Sequence, residues 1–280
     1  MYARVQTWWT ILRICLEERL VYRGDFALGT LMRFLPIVTQ VFMWAAIFEA
    51  IRESGDSDPR IQGYSYQELV AYYLLTMVSR AFSSMPGLAS AVARDIRDGT
   101  IKKYLIQPID MIGFLFLSRI AHKLVYYGVA IGPFALIFFL CRDYFSGWPD
   151  AQTMAAFVAS LIMAFLLGFL MEAAIGMIGF WFLEVSSLLF IYMLFTFFFS
   201  GHMFPIDMLK DQLPDPLFAL VEMIPLKYLA YFPAAVFLGK IEGAELIRGL
   251  WVQLAWVVFF FVVCRLAFYS GVKRYSGYGG

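Results

Sequence analysis

Residues 188–200 read LLFIYMLFTFFFS, and this stretch decides the fold class. Its apolar side chains follow one another without the alternation of apolar and polar residues that is typical of a membrane β-strand. In a bilayer, only helices and closed barrels satisfy all of their backbone polar groups. A continuous apolar run of this kind therefore predicts a transmembrane α-helix.

The rest of the chain is apolar in the same way. Of its 280 residues, 61% are hydrophobic and 15% are charged, and the mean hydropathy is +0.72. A soluble domain carries about 25% charged residues. We therefore expect a single all-α, polytopic membrane domain over residues 1–280 with six transmembrane helices. The expected spans are residues 26–51, 65–86, 111–140, 151–180, 185–201 and 246–269.

Residues 1–24 predict an amphipathic helix that lies at the membrane interface. Val5, Trp8, Leu12 and Leu16 recur at three- and four-residue spacing, and charged residues lie between them. A face that carries tryptophan opposite a charged face suits the membrane surface. Packing on a soluble partner subunit is the alternative interpretation, and both can hold at once.

Within the third span, Gly128 and Gly132 have the G-x-x-x-G spacing. This spacing allows two transmembrane helices to approach closely. We interpret it as a weak signal for helix packing, because the pattern is common by chance.

Residues 202–240 form the most irregular apolar stretch, with five of the eleven prolines of the chain. Asp215 followed by Pro216 predicts the start of a short helix, and Pro225 predicts its end. The stretch is too apolar for a water-exposed loop and too interrupted for one span. We expect two re-entrant helices that enter the membrane without crossing it; a loop at the lipid headgroups is the alternative.

The distribution of basic residues predicts the topology. The segments on the side of the two termini carry eleven: Arg4, Arg13, Arg19, Arg23, Arg94, Arg97, Lys102, Lys103, Arg265, Lys273 and Arg274. The segments on the other side carry seven: Arg52, Arg60, Arg142, Lys210, Lys227, Lys240 and Arg248. Because basic residues favour the cytoplasmic side, we expect both termini and residues 90–109 inside the cell, and residues 202–240 outside.

No pattern typical of a catalytic, metal or nucleotide site is present in the sequence. His122 and His202, the two histidines, are predicted on opposite sides of the membrane, and no P-loop motif occurs. A net charge of +1 indicates no nucleic-acid partner. Glu172, inside the fourth span, is the candidate intramembrane polar site. Alternatively, its carboxylate pairs with a basic group or reaches the interface.

Residues 94–110, RDIRDGTIKKYLIQPID, interrupt the apolar chain with seven charged residues. Asp98-Gly99-Thr100 is a turn signal, and Thr100 can cap a second short helix. After the turn, we expect Ile101, Tyr104 and Leu105 to form a compact, exposed apolar face. An apolar centre within a charged rim is typical of a docking surface, and an ordinary charged loop explains the composition equally well.

Over nearly its whole length, the chain resembles the membrane subunit of ABC-2-type transporters, in the branch with six spans. The resemblance depends on the order of several features. After the N-terminal helix come Arg94-Asp95-Ile96-Arg97-Asp98-Gly99, Tyr104-Leu105 and Pro108, then Ser200-Gly201, Pro205, Pro214, Pro225, Tyr231 and Pro233, and last Gln253, Trp256 and residues 271–275. Lys102, Lys103 and Gln107 depart from the residue types frequent in the family, which bears on the choice of partner.

The resemblance implies a permease of the inner cell membrane, in contact with lipid, that exports a lipid, glycan, drug or peptide. It implies a second permease, identical or related, and a separate ABC ATPase that holds ATP and Mg²⁺, with no cofactor on this chain. The implied docking residues in the cytoplasmic coupling helix are Arg94, Asp95, Ile96, Arg97, Asp98, Gly99, Ile101, Tyr104 and Leu105. The alternative function is an ion-coupled secondary transporter that uses Glu172.

Overall fold

A computed structural model describes residues 2–21, 23–55, 58–145, 147–182 and 184–275. Ser57, in the first predicted outer loop, and the tail at 276–280 lie outside the described residues. So do the side chains of Arg4, Arg23 and Arg33. The described part contains no β-strand and eleven α-helices. An all-α membrane protein is therefore confirmed.

The helices follow one another along the whole described chain. They are α1 (Tyr2–Val21), α2 (Arg23–Glu53), α3 (Tyr66–Ser83), α4 (Leu88–Arg97), α5 (Lys102–Ile106), α6 (Met111–Leu140), α7 (Ala151–Met177), α8 (Ser186–Phe199), α9 (Asp215–Met223), α10 (Tyr231–Phe237) and α11 (Gly243–Arg274). Short 3₁₀ turns occur at Arg142–Tyr144, Ile178–Phe180, Ile206–Leu209 and Pro225–Leu229.

Four stretches in the described part are long and apolar enough to cross a membrane: Leu35–Glu53, Met111–Leu140, Ala151–Phe180 and Gly243–Arg274. The 18 residues of α3 and the 14 residues of α8 fall outside that set. At about 1.5 Å per residue, α8 is roughly 21 Å long, against about 30 Å of hydrocarbon. Six spans therefore stay a prediction, whereas a multi-pass membrane chain is established.

The chain divides into two compact units, and the first comprises residues 1–55 and 103–145. Within this unit, α6 packs against both α1 and α2. Asp110 begins α6 as its N-cap, and its carboxylate accepts a hydrogen bond from the Gly113 backbone at 2.7 Å. Gly113 also makes room for Trp8: a methyl group on Gly113 would lie 3.1 Å from the indole ring. The amphipathic helix α1 thus presents Trp8 to α6, while Trp9 stays exposed.

The second unit comprises residues 56–102 and 146–280, and α7 is its central helix. α7 packs against α3, α4, α10 and α11. Its first turn is capped by Asp150, whose carboxylate accepts hydrogen bonds from the Gln152 and Thr153 backbones at 3.0 and 3.4 Å. On its remaining length, small residues such as Ala164 and Ala173 are completely buried. Because these side chains are short, neighbouring backbones can approach α7 from several directions.

Glycines on α7 and at its end make close contacts with α3 and α4. A methyl group on Gly168 would overlap the Ser83 carbonyl at the end of α3. One on Gly128 or Gly132 would meet nothing within 4 Å among the described residues. Close packing of Gly128 and Gly132 is therefore not seen in the described part of this chain, and packing of this pair against another chain stays a prediction.

Replacing Gly168 by valine should destabilise the second unit. The added side chain cannot avoid the Ser83 backbone, so we expect the free energy of unfolding to fall by about 1–3 kcal/mol. Gly128→Val is the matched control, since its added side chain meets open space and should change stability by no more than about 0.5 kcal/mol. Thermal unfolding of both variants in detergent measures the difference; equal unfolding temperatures would contradict the packing described.

Candidate functional site

The segment from α4 to α5 contains the predicted docking residues. α4 buries Leu88, Val92 and Ile96, which follow one another at intervals of four residues, and exposes Arg94 and Arg97. This spacing gives the helix one apolar face, which packs against α7. α4 is thereby held on a transmembrane helix while its basic residues point to solvent.

A well-bonded turn ends α4. Gly99 adopts a left-handed backbone conformation with φ +77°, which a residue without Cβ adopts at little cost. The Ile101 backbone donates to the Asp95 carbonyl at 2.9 Å, and the Thr100 hydroxyl donates to the Asp95 carboxylate at 2.7 Å. Thr100 therefore closes the turn back onto α4. The expected capping of the next helix by Thr100 is not what this hydroxyl does.

The apolar face after the turn differs from the one expected. Ile101 is completely buried, so its assignment to an exposed face is wrong: the turn carries this side chain into the protein interior. Tyr104 is half-buried, with its ring centre 5.5 Å from that of Phe114. Leu105 is 39% exposed, and Ile106, which sequence reasoning left out, is 83% exposed. Ile106 is thus the most exposed apolar side chain of α5, and it follows Lys102 and Lys103 in the sequence.

The nine predicted docking residues thus differ in their exposure. The exposed ones are Arg94, Arg97, Asp98 and Leu105, the half-buried ones are Asp95 and Tyr104, and the buried ones are Ile96, Gly99 and Ile101. Arg97 and Asp98 form an ion pair at 3.1 Å that is half exposed, and such a pair contributes little to stability. The exposed members are those able to meet a partner, and the buried members shape the segment.

Glu172 lies on α7 with its side chain half-buried. One of its carboxylate oxygens accepts a hydrogen bond from the Ala89 backbone at 3.3 Å, in the first turn of α4. This contact joins Glu172 to α4. Glu172 thus bonds to a backbone N–H in the helix that carries the predicted docking residues.

A second group of polar residues, which the sequence analysis did not identify, lies at the N-terminal end of α3. We call Tyr64, Asp207 and Tyr231 the Asp207 cluster. The Tyr64 hydroxyl donates to the Asp207 carboxylate at 2.9 Å, and the Tyr231 hydroxyl donates to it at 2.7 Å. Burial, together with the negative charge of Asp207, raises the pKa of Tyr64 above its usual range. The Tyr64 phenol therefore stays a protonated donor at neutral pH.

Further bonds hold the region around residues 201–240 to the start of α3. The Tyr72 hydroxyl donates to the Gly201 carbonyl, and the Tyr73 hydroxyl donates to the Met203 carbonyl at 2.9 Å. The Lys240 ammonium group bonds to the Glu68 carboxylate at 2.6 Å and lies 4.8 Å from the centre of the Tyr64 ring. The two tyrosine hydroxyls satisfy backbone carbonyls of an irregular segment, where α-helical hydrogen bonds do not.

Gln253 on α11 also bonds to this region. It is completely buried, and its amide donates to the Ser160 carbonyl at 3.0 Å and to the Tyr228 carbonyl at 3.2 Å. Ser160 belongs to α7 and Tyr228 to the 3₁₀ turn before α10. A signal for these contacts existed in the sequence, namely tyrosines and a glutamine beside an apolar, proline-rich stretch. Which side chain bonds to which carbonyl depends on the tertiary structure.

No group of three or more His, Cys, Asp or Glu side chains among the described residues could hold a metal ion. In the second unit, α4 exposes Arg94 and Arg97 and packs on α7, and the segment at 201–240 is held by hydrogen bonds from α3 and α11. In the first unit, α5 exposes Leu105 and Ile106.

Comparison with known proteins gives a family assignment. Residues 34–279 match the sequence profile of a family described as ABC-2 family transporter protein. The match includes α3 to α11 and most of α2. No curated protein matches the chain.

Tyr231→Phe should weaken the Asp207 cluster without changing the shape of the ring. A hydrogen bond to a charged group contributes about 1.5–3 kcal/mol, so we expect a loss of about 2 kcal/mol in the free energy of unfolding. Limited proteolysis within residues 202–224 should become faster. Tyr269→Phe, on an exposed side chain of α11, is the control. Equal proteolysis rates in the two variants would show that the cluster does not hold this segment.

Proposed function

The chain belongs to the ABC-2 transporter family and is a membrane permease of an ABC transporter, and on that premise we propose that it is the transport subunit of an ATP-driven exporter. Its ATPase is a separate subunit that binds ATP and Mg²⁺ and docks on residues 94–106. The observation that carries this proposal is the family match over residues 34–279, supported by the exposed surface of the docking segment.

The docking segment has the chemistry that a protein partner recognises. Arg94 and Arg97 are exposed on α4, and Leu105 and Ile106 are exposed on α5. Aliphatic anchors with charged residues near them in sequence are typical of interfaces with a buried centre and a polar rim. The Lys103 ammonium group lies 4.8 Å from the centre of the Tyr104 ring, which supports a defined position for this aromatic side chain.

Because α4 packs against α7, force applied to the docking segment reaches a membrane-spanning helix directly. In the proposed mechanism, ATP binding brings two ATPase subunits together and moves the docking segments with them. The ATPase shifts the balance between inward- and outward-open states by contacting α4 differently in each. Hydrolysis takes place on the ATPase, and this chain has a transport role rather than a catalytic one.

A second permease, identical or related, completes the transport path. This chain lies in the inner membrane of the cell, and both of its termini lie in the cytoplasm. The cargo is a lipid, glycan, drug or peptide that leaves the cell. The Asp207 cluster and its neighbours then form the outer end of the path.

An ion-coupled secondary transporter that uses Glu172 is the alternative. Such a carrier needs an ionisable group that is free to bind and release its ion near the membrane midplane. The bond between Glu172 and the Ala89 backbone gives this carboxylate a partner inside the fold. We therefore favour the ATP-driven permease.

Replacing Leu105 and Ile106 by aspartate should abolish capture of the ATPase. Ile106 is 83% exposed and Leu105 is 39% exposed, so the change removes apolar contacts with the partner and affects the packing of the chain at Leu105 alone. The recovery of ATPase with the tagged permease should fall by about tenfold or more. The amount of ATPase that co-purifies from detergent extracts is the measurement.

Met223→Asp is the matched control for this experiment. Met223 is equally apolar and 70% exposed, but it lies in α9, which is predicted on the other side of the membrane. This variant should retain the ATPase. Unchanged recovery with Leu105→Asp and Ile106→Asp would contradict the proposed docking segment.

The predicted topology is tested by cysteine labelling in intact cells. In a background with Cys15, Cys141 and Cys264 replaced, Asp215→Cys should react with a membrane-impermeant maleimide added from outside. Thr100→Cys should react only after the membrane is permeabilised. Both positions are exposed, so accessibility to the reagent reports the side of the membrane. The reverse pattern would place the docking segment outside and exclude a cytoplasmic ATPase there.

A further inference from the structure

One face of α7 and the turn that follows it make a continuous contact with the end of α3 and with α4. The face consists of Gly168, Glu172, Gly176 and Gly179, at intervals of four, four and three residues. This spacing places all four on one side of a helix. Gly168 meets Ser83, Glu172 meets Ala89, Gly176 meets Ala89 and Val92, and Gly179 meets Ala93.

The contact is closest at Gly168 and Gly176, where an added Cβ would overlap the neighbouring backbone, and it is less tight at Gly179. A methyl group on Gly176 would lie 2.7 Å from the Ala89 carbonyl oxygen and 2.8 Å from the Val92 Cβ. One on Gly179 would lie 3.2 Å from the Ala93 Cα. Backbones at this separation gain dispersion contacts along their whole length, and such packed interfaces do not deform continuously.

Glu172 is the only charged residue of this face, and it lies where α4 needs an acceptor. The N-cap of α4 is Gly87, which has no side chain and makes no capping hydrogen bond. The first turn of any helix has backbone N–H groups without partners in the helix, and carries partial positive charge. The carboxylate of Glu172 bonds to one of these groups, at Ala89, from the neighbouring helix.

We propose that Glu172 is a positioning residue that fixes α4 on α7, so that the docking helix and the C-terminal half of α7 move as one rigid body. This deepens the proposed function, because it makes α7 the element that transmits the motion of the ATPase. The glycines set the distance between the helices, and the hydrogen bond between Glu172 and the Ala89 backbone sets their register along the axis.

The first experiment measures hydrogen exchange of α4 in the full chain, in lipid nanodiscs and without any ATPase. In Glu172→Leu, which keeps the bulk but has no acceptor, the amides of the first turn of α4 should exchange about tenfold faster than in the wild type. Glu172→Gln keeps a carbonyl acceptor and should restore most of the protection. Glu245→Leu, in the exposed first turn of α11, is the control and should leave α4 unchanged.

A second experiment tests the rigid body with a disulfide between Ala93→Cys and Gly179→Cys in a background without other cysteines. A Cβ on Gly179 would lie 3.5 Å from the Cβ of Ala93, within the range that a disulfide spans. The bond should form on oxidation, and the reconstituted complex should hydrolyse ATP at a rate within about twofold of the reduced form. Loss of activity that a reductant restores would show that α4 slides on α7, and would overturn the proposal.

The two proposals fail in different ways. If no ATPase associates with the wild-type chain, the proposed function fails, while hydrogen exchange still decides the role of Glu172. If the ATPase binds and Glu172→Leu shows wild-type protection in α4, the positioning role fails alone. Poor folding of Glu172→Leu does not remove the test, since the disulfide pair keeps Glu172 and examines the same contact.

Discussion

The constraint from which the structure follows is that a chain in hydrocarbon must satisfy its backbone polar groups from within. The long helices do so by their own hydrogen bonds. The irregular region around residues 201–240 cannot, and it takes its partners from side chains: the hydroxyls of Tyr72 and Tyr73 donate to the carbonyls of Gly201 and Met203. The amide of Gln253 bonds to the carbonyls of Ser160 and Tyr228. These hydrogen bonds from side chains of α3 and α11 hold the apolar, proline-rich segment in place.

α7 is the element that connects the parts of the second unit. It contacts α3, α4, α10 and α11, and its small residues permit all of these approaches. The predicted docking helix and the bonded segment at 201–240 therefore share a single scaffold helix. The proposed mechanism requires a stiff connection between the docking helix and the rest of the unit, and we assign it to the close packing at Gly168, Gly176 and Gly179.

Sequence reasoning identified what depends on neighbours along the chain. Apolar runs predicted the helices, and the turn at Asp98-Gly99-Thr100 is present with Gly99 in a left-handed conformation. Sequence reasoning failed where the burial of a residue depends on an element that is distant in the chain. Ile101 and Ile106 are both isoleucines of one short segment, yet one is buried and the other exposed. Gly128 and Gly132 have a packing motif and meet no neighbour among the described residues, whereas Gly176, which belongs to no such motif, meets Ala89 and Val92.

By itself, the sequence determined that this is an all-α membrane protein. It also determined that a charged segment interrupts the apolar chain and that a second, proline-rich segment is irregular. Those properties follow from local hydropathy and from the fixed conformational limits of glycine and proline. Only the tertiary structure decided that Asp207 accepts hydrogen bonds from Tyr64 and Tyr231, and that Glu172 bonds to Ala89. In each case the partners lie more than twenty residues apart. Such contacts depend on how whole helices pack, a property that no local stretch of sequence contains.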